Sequence, residues 1–225
     1  MPRPSTRGGA SAILDAPETR REGSTMIVST PDLDGATGHV AEMYDGDLRS
    51  DGFVFGHTRA MAINPEAHAA FETLIRSIVP SIGLRNYELA TLGAARAIGS
   101  DHCLLAHGRK SLRAGLLDED ELARLAREGA DAGLDGTDMA VVAYAEKLST
   151  DAATMTDADT QRLRDLGFTD RQIVDITLAA AVRNYFSRAL LALAVPVDDV
   201  PGLSPTLVAA LLAPAQAARG NVSGG

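Results

Sequence analysis

An all-α helical bundle is the fold class that this sequence predicts, and three observations predict it. Alanine fills about one position in six, aromatic residues make up 4% and tryptophan is absent, a balance that suits close-packed helices better than a sandwich of β-branched and aromatic strands. No segment alternates apolar and polar residues with period two. Glycines stand where helices must stop, at Gly99, Gly129, Gly133 and Gly167. At 225 residues, 45% of them hydrophobic, the chain is long enough to bury a substantial core.

The elements follow in order. Residues 1–25 mix Pro, Gly, Ser, Thr and Arg around one short apolar patch, too little to offset the entropy of ordering them, so they read as a disordered arm before Met26. Asp34 or Thr37 caps a first helix through Val40, Met43 and Tyr44. Asp51–Ala60 reads as a connecting loop whose aromatics pack down. Asn64-Pro65-Glu66 supplies an N-cap, a proline at the first helical position and a first-turn acid for the helix HAAFETLIRSIV. Another helix runs from Arg85 to the break at Gly99, after which Ser100 and Asp101 start HCLLAHGRKSLRAG. Helices are expected at about Glu119–Glu128, Thr137–Ser149, Asp157–Leu166 and Asp170–Leu193, and 214–225 reads as a disordered tail, leaving a domain over 26–213. Thr91-Leu92-Gly93-Ala94-Ala95 is echoed by Thr177-Leu178-Ala179-Ala180-Ala181. Internal duplication is one account of the echo, and the chance likeness of alanine-rich helices is the other.

Charge and cysteine content exclude several classes. With 21 Lys+Arg against 30 Asp+Glu the net charge is −9, the wrong sign for a nucleic-acid-binding face. No run approaches the roughly 20 apolar residues of a membrane span. A single cysteine, Cys103, makes no intramolecular disulfide, which points to a reducing, cytoplasmic setting.

Reactive side chains concentrate at Glu88, Ser100, His102, Cys103 and His107. Cys103 and His107 are four apart, on one helix face, and a thiol beside an imidazole near a helix N-terminus is an activation device. On a straight helix Glu88 and Cys103 would lie about 22 Å apart at 1.5 Å per residue, so Glu88 joins the site only if the chain turns at Gly99.

An acid, eleven residues, a small residue, then x-His-Cys-x-x-x-His is similar to the alkyl hydroperoxidase D and carboxymuconolactone decarboxylase superfamily. In its peroxidase branch the pattern is Glu, eleven residues, Cys-x-His-Cys-x-x-x-His. Glu88 matches the proton-relay glutamate, His102 the histidine between the cysteines, Cys103 the second cysteine and His107 the last histidine. Ser100 stands in place of the first cysteine. The resemblance extends over most of 30–195 through AEKLST, LGFTDRQIVDITLAAAVRN and Ser187-Arg188, where the family carries Asn-Arg. It implies an AhpD-like homo-oligomer, a trimer or hexamer, with thiol-dependent peroxidase-like activity. In that reading Cys103 is the nucleophile, His107 and Glu88 relay protons, and Ser100 and His102 assist. With the first cysteine replaced, an external thiol would have to resolve the oxidised Cys103. The decarboxylase branch implies an alternative, a cofactor-free decarboxylase, lyase or isomerase acting on a small organic acid or natural-product intermediate through Glu88 and His107. A non-enzymatic oligomeric or redox-sensing scaffold is the third class.

Each residue also has a structural reading. Cys103 is a small buried hydrophobe, His107 a core histidine satisfied by a carbonyl, Ser100 a plain N-cap, and Glu88 a surface acid paired with Arg85. His39, His57 and His68 carry no motif. Tyr87, Tyr185 and Phe186 are candidates to line an apolar pocket. No cofactor is expected, and no metal, because Glu88, His102, Cys103 and His107 form neither an HExxH nor a paired CxxC motif. The expected partner is a small molecule, a hydroperoxide or organic acid.

Overall fold

The computed structural model describes residues 26–222, with side chains described to Pro214. The arm at 1–25 lies outside the described residues. Every regular element among them is a helix, and no helix is long and apolar enough to cross a membrane.

Helix α1, Gly38–Asp51, starts from Thr37 and stops at Gly52, which takes the left-handed conformation (φ 81°) that halts a helix cleanly. The stretch expected to be a loop contains a second helix, α2, Gly56–Met61. Its start is held from outside: Asp47 accepts the Phe55 N–H at 3.0 Å and Asp198 accepts the Gly56 N–H at 2.8 Å. A cap lent by Asp198, far along the chain, leaves no local trace in the sequence. The two helices expected on either side of residue 84 form one long element, α3, Pro65–Ile98, broken at Gly83, whose φ of 78° and ψ of 159° are not helical. Asn64 caps it by accepting the Ala67 N–H.

At Gly99 (φ 73°, ψ 40°) the chain turns and α4, Asp101–Arg113, begins. Helix α5, Glu119–Glu128, carries a complete capping box between Asp118 and Glu121. Helices α6 (Gly136–Asp151), α7 (Asp157–Asp165) and α8 (Asp170–Ala192) follow as expected to within two residues. Helix α9, Pro205–Val222, runs into the segment read as a tail. Ala-Gln-Ala-Ala-Arg after Pro214 are strong helix formers, and Leu207 and Leu211 anchor the helix in the core.

The C-terminal half of α3 is the central strut. All of Tyr87–Ala95 is buried, between α6 and α8, with α4 and α9 closing the side. The echoed segments fall on α3 and α8, the two helices that face each other here. Gly93 is what lets α6 approach, because a Cβ at this position would sit 3.0 Å from the Val142 carbonyl oxygen and 3.4 Å from its Cα. Both obstacles are backbone and have little room to yield. Gly93→Val is therefore expected to destabilise the protein by about 2 kcal/mol or more through overpacking, measured as a lowered urea midpoint with an unchanged slope.

Candidate active site

The turn at Gly99 does what a straight helix could not: it folds α4 back against α3 and brings Glu88, His102, Cys103 and His107 together. Glu88 is fully buried, so the surface pairing with Arg85 is not formed; Arg85 instead binds Asp138. Nδ1–H of His107 donates to Glu88 Oε2 at 2.6 Å, and Lys110 Nζ lies 3.2 Å from Oε1. His107 and Lys110 are three apart on α4, hence on one face. Burial pushes the Glu88 carboxyl up, but His107 and Lys110 outweigh it and the net shift is downward. Burial, reinforced by the Arg183 charge, takes His107 down to about 4 against the pull of Glu88. At neutral pH the pair is thus a carboxylate holding a neutral imidazole, with the lone pair on Nε2.

Cys103 lines a cavity of about 600 Å³. No hydrogen bond joins it to His107. Its sulfur accepts from two groups of α8 instead, Ser187 Oγ at 3.1 Å and Arg183 Nη1 at 3.5 Å. Arg183 is 3% exposed and forms no ion pair with any acid among the described residues. Its other amino group donates to Tyr87 Oη at 3.4 Å, its Nε has no partner, and its guanidinium lies over the Phe186 ring. Burial works against the charge, but the sulfur and the Tyr87 oxygen raise the Arg183 pKa overall. A buried guanidinium without an acid calls for an anion beside it, and the cavity presents the Cys103 sulfur in that position.

The remaining expected residues divide. His102 lines the cavity, and its Nε2–H donates to the Val195 carbonyl at 2.8 Å, which fixes the ring and leaves the lone pair on Nδ1. Ser100 is fully buried at the start of α4, makes no capping bond with its side chain, and is not part of the cavity wall. Its hydroxyl has no partner there, so it neither caps nor reaches the space in front of Cys103. Tyr87 and Phe186 line the cavity, whereas Tyr185 is exposed.

Sequence reasoning missed Arg183 and the gathering of histidines. His39, His57 and His68, without any motif, line the same cavity as His102 and His107, so all five histidines of the chain meet there. They arrive on α1, α2, α3 and α4, and nothing local announces that. Arg183 was legible: it shares the 3–4 spacing of Ile176, Ala180, Ser187 and Leu190, the buried face of α8.

Burial has a consequence for acid stability. His57 is held down to about 3 by burial and by the neighbouring His102 and His107, and His107 to about 4. In the unfolded chain both titrate near pH 6.5. Below that pH the unfolded state takes up protons that the folded state refuses, so stability present above about pH 6.5 is lost as the pH falls towards the folded values. The lowered Glu88 carboxyl adds to the loss at more acid pH. Thermal melts should show Tm falling between about pH 7 and about pH 5, and His57→Phe should flatten that slope.

Comparison with known proteins bears on this geometry. Residues 65–147, from the start of α3 into α6, match the carboxymuconolactone decarboxylase family model. The fold matches an AhpD-core peroxidase-related protein from Ralstonia eutropha JMP134, with a TM-score of 0.68 at 20% identity over 76% of this chain and 92% of that one. A peroxidase-related protein from Silicibacter sp. TM1040 has a TM-score of 0.57 at 22% identity, covering 75% and 91%. A cysteine-to-alanine variant of the debrominase Bmp8, in complex with 2,3,4-tribromopyrrole, has a TM-score of 0.66 at 17% identity, covering 85% and 100%. No curated protein matches. The chain has the AhpD-like helical fold, and within it residues 65–147 match the carboxymuconolactone decarboxylase family.

Proposed function

We propose that the chain is a single-cysteine, thiol-dependent oxidoreductase that reduces organic hydroperoxides. The observation that carries this reading is the buried Arg183 guanidinium, without an acid partner, directed at the Cys103 sulfur. An anionic sulfur completes that charge pair, and the thiolate is the attacking form. The proton leaves the thiol by way of a water for Nε2 of His107, held in its tautomer by Glu88. The sulfur then attacks the peroxide oxygen, the O–O bond breaks, Cys103 becomes a sulfenic acid, and the departing alkoxide takes the proton back from His107 as an alcohol. One molecule of external thiol condenses with the sulfenic acid, releasing water and forming a mixed disulfide. A second reduces that disulfide and restores Cys103.

The size of the cavity and its walls of Phe71, Ile75, Tyr87, Phe186 and Leu190 favour an organic peroxide over hydrogen peroxide. The debrominase relative adds halogenated aromatics to the substrates worth testing. A second reading rests on the Glu88–His107 pair alone, which offers acid–base catalysis on a small organic acid without the thiol.

The test follows Cys103 by intact mass and turnover with cumene hydroperoxide and a small thiol in excess. The expected result is gain of one oxygen atom without thiol, catalytic turnover with it, and loss of both in Cys103→Ser. A thiol that stays unmodified where free cysteine oxidises would sink the reading. Turnover of an organic acid that survives Cys103→Ser but not Glu88→Gln would establish the lyase alternative instead. Arg183→Met should slow oxidation about tenfold or more, the worth of a charge-assisted hydrogen bond, in a protein whose melting curve verifies that it is folded.

A further inference from the structure

We propose that His39, His68 and Glu72 form a site for a divalent first-row transition metal, zinc by ligand type, at the side of the cavity formed by α1 and α3. The proposal departs from the sequence expectation of a metal-free chain and stands independently of the thiol chemistry. The three side chains each offer one ligand atom, all within 4.8 Å of one another. His39 Nε2 lies 3.1 Å from His68 Nδ1 and 3.9 Å from Glu72 Oε2. With zinc–ligand distances of about 2.0–2.1 Å, a tetrahedral site places its ligand atoms about 3.3–3.4 Å apart, a value that the two separations bracket.

A second observation concerns what lies behind the ligands. Nδ1–H of His39 donates to Glu42 Oε2 at 3.0 Å. That bond commits the proton to Nδ1 and turns the Nε2 lone pair towards His68 and Glu72. A carboxylate behind a ligating imidazole is how proteins orient such a ligand and raise its basicity. Helix geometry supplies the rest. His68 and Glu72 are four apart on α3, and His39 and Glu42 three apart on α1, so each pair shares a face.

All four residues line the cavity that also carries Cys103. Three protein ligands leave a fourth position for water or a substrate oxygen, the arrangement of open rather than closed zinc sites. The ligand class that suits it is an oxygen donor, such as a carboxylate or the oxygen of a small organic substrate. The other group able to gather three donors, His57, His102 and Asp198, is less suited. Its Asp198 is already engaged by the Gly56 N–H at 2.8 Å.

The experiment uses the full chain, freed of metal with a chelator, then titrated with Zn²⁺ by calorimetry and with Co²⁺ by absorption. One equivalent of Zn²⁺ should bind per chain, with the intense visible bands of tetrahedral Co²⁺. His68→Ala and Glu72→Gln should abolish or weaken binding by roughly a hundredfold, and Glu42→Gln by about tenfold, the range seen for residues behind a ligand. Cys103→Ser and His57→Phe should bind as the parent does. Glu72 is partly exposed, so Glu72→Gln gives a readout even if His68→Ala fails to fold, and melting curves verify each variant. Absence of saturable binding would overturn the proposal. So would binding that survives both His68→Ala and Glu72→Gln, or that is lost in Cys103→Ser or His57→Phe.

Discussion

The buried carboxylate of Glu88 is the constraint around which this fold is arranged. It sits in the middle of the most buried stretch of α3, with no exposed surface. A charge there without partners would cost several kcal/mol. Its partners have to come from another element, since Arg85, one turn earlier on α3, binds Asp138 instead. His107 and Lys110 of α4 supply them, and α4 reaches Glu88 only because the chain reverses at Gly99. Satisfying one acid therefore fixes the orientation of α4. With His107 and Lys110 turned towards α3, Cys103, one helical turn earlier, faces the same cavity.

Arg183 presents the complementary case. Glu88 is an acid whose buried charge is answered by protein; Arg183 is a base whose charge is not. The two are linked through His107, which Glu88 orients and which burial, reinforced by the repulsion of Arg183, keeps neutral against the pull of Glu88. The site thus has one closed charge pair that holds its geometry and one open charge that seeks an anion. Burying a cation without an acid is poor design for stability alone, which is why Arg183, rather than Cys103 by itself, carries the functional argument.

The sequence told different parts of this with different clarity. Helix boundaries set by local chemistry were legible: the Asp118–Glu121 capping box, the Asn64-Pro65 start and the glycine stops act within a few residues. Helix α2 was not, because its cap comes from Asp198 across the fold. The line from Glu88 to His107 was legible as spacing, and the Gly99 break said that it could close. The gathering of His39, His57 and His68 was invisible, because it depends on how α1, α2 and α3 pack. Ser100 shows the reverse error, a motif position that looks chemical in sequence and is walled off in space.

That wall bears on how the proposed single-cysteine cycle would run. In a two-cysteine relay the resolving thiol occupies the position of Ser100, three residues before the nucleophile on the same chain. Here that position holds a serine that is fully buried and outside the cavity wall, so its side chain does not meet what enters there. Under the proposed thiol chemistry, the reductant has to enter by the route the substrate used, into a single cavity of about 600 Å³. Substrate and reductant then compete for the same space, and the first product must leave before the reductant binds. The kinetics that follow are ping-pong, with a reductant small enough to enter that cavity. Under that proposal, a serine at position 100 would place the second half of the cycle in the solvent and not within the chain.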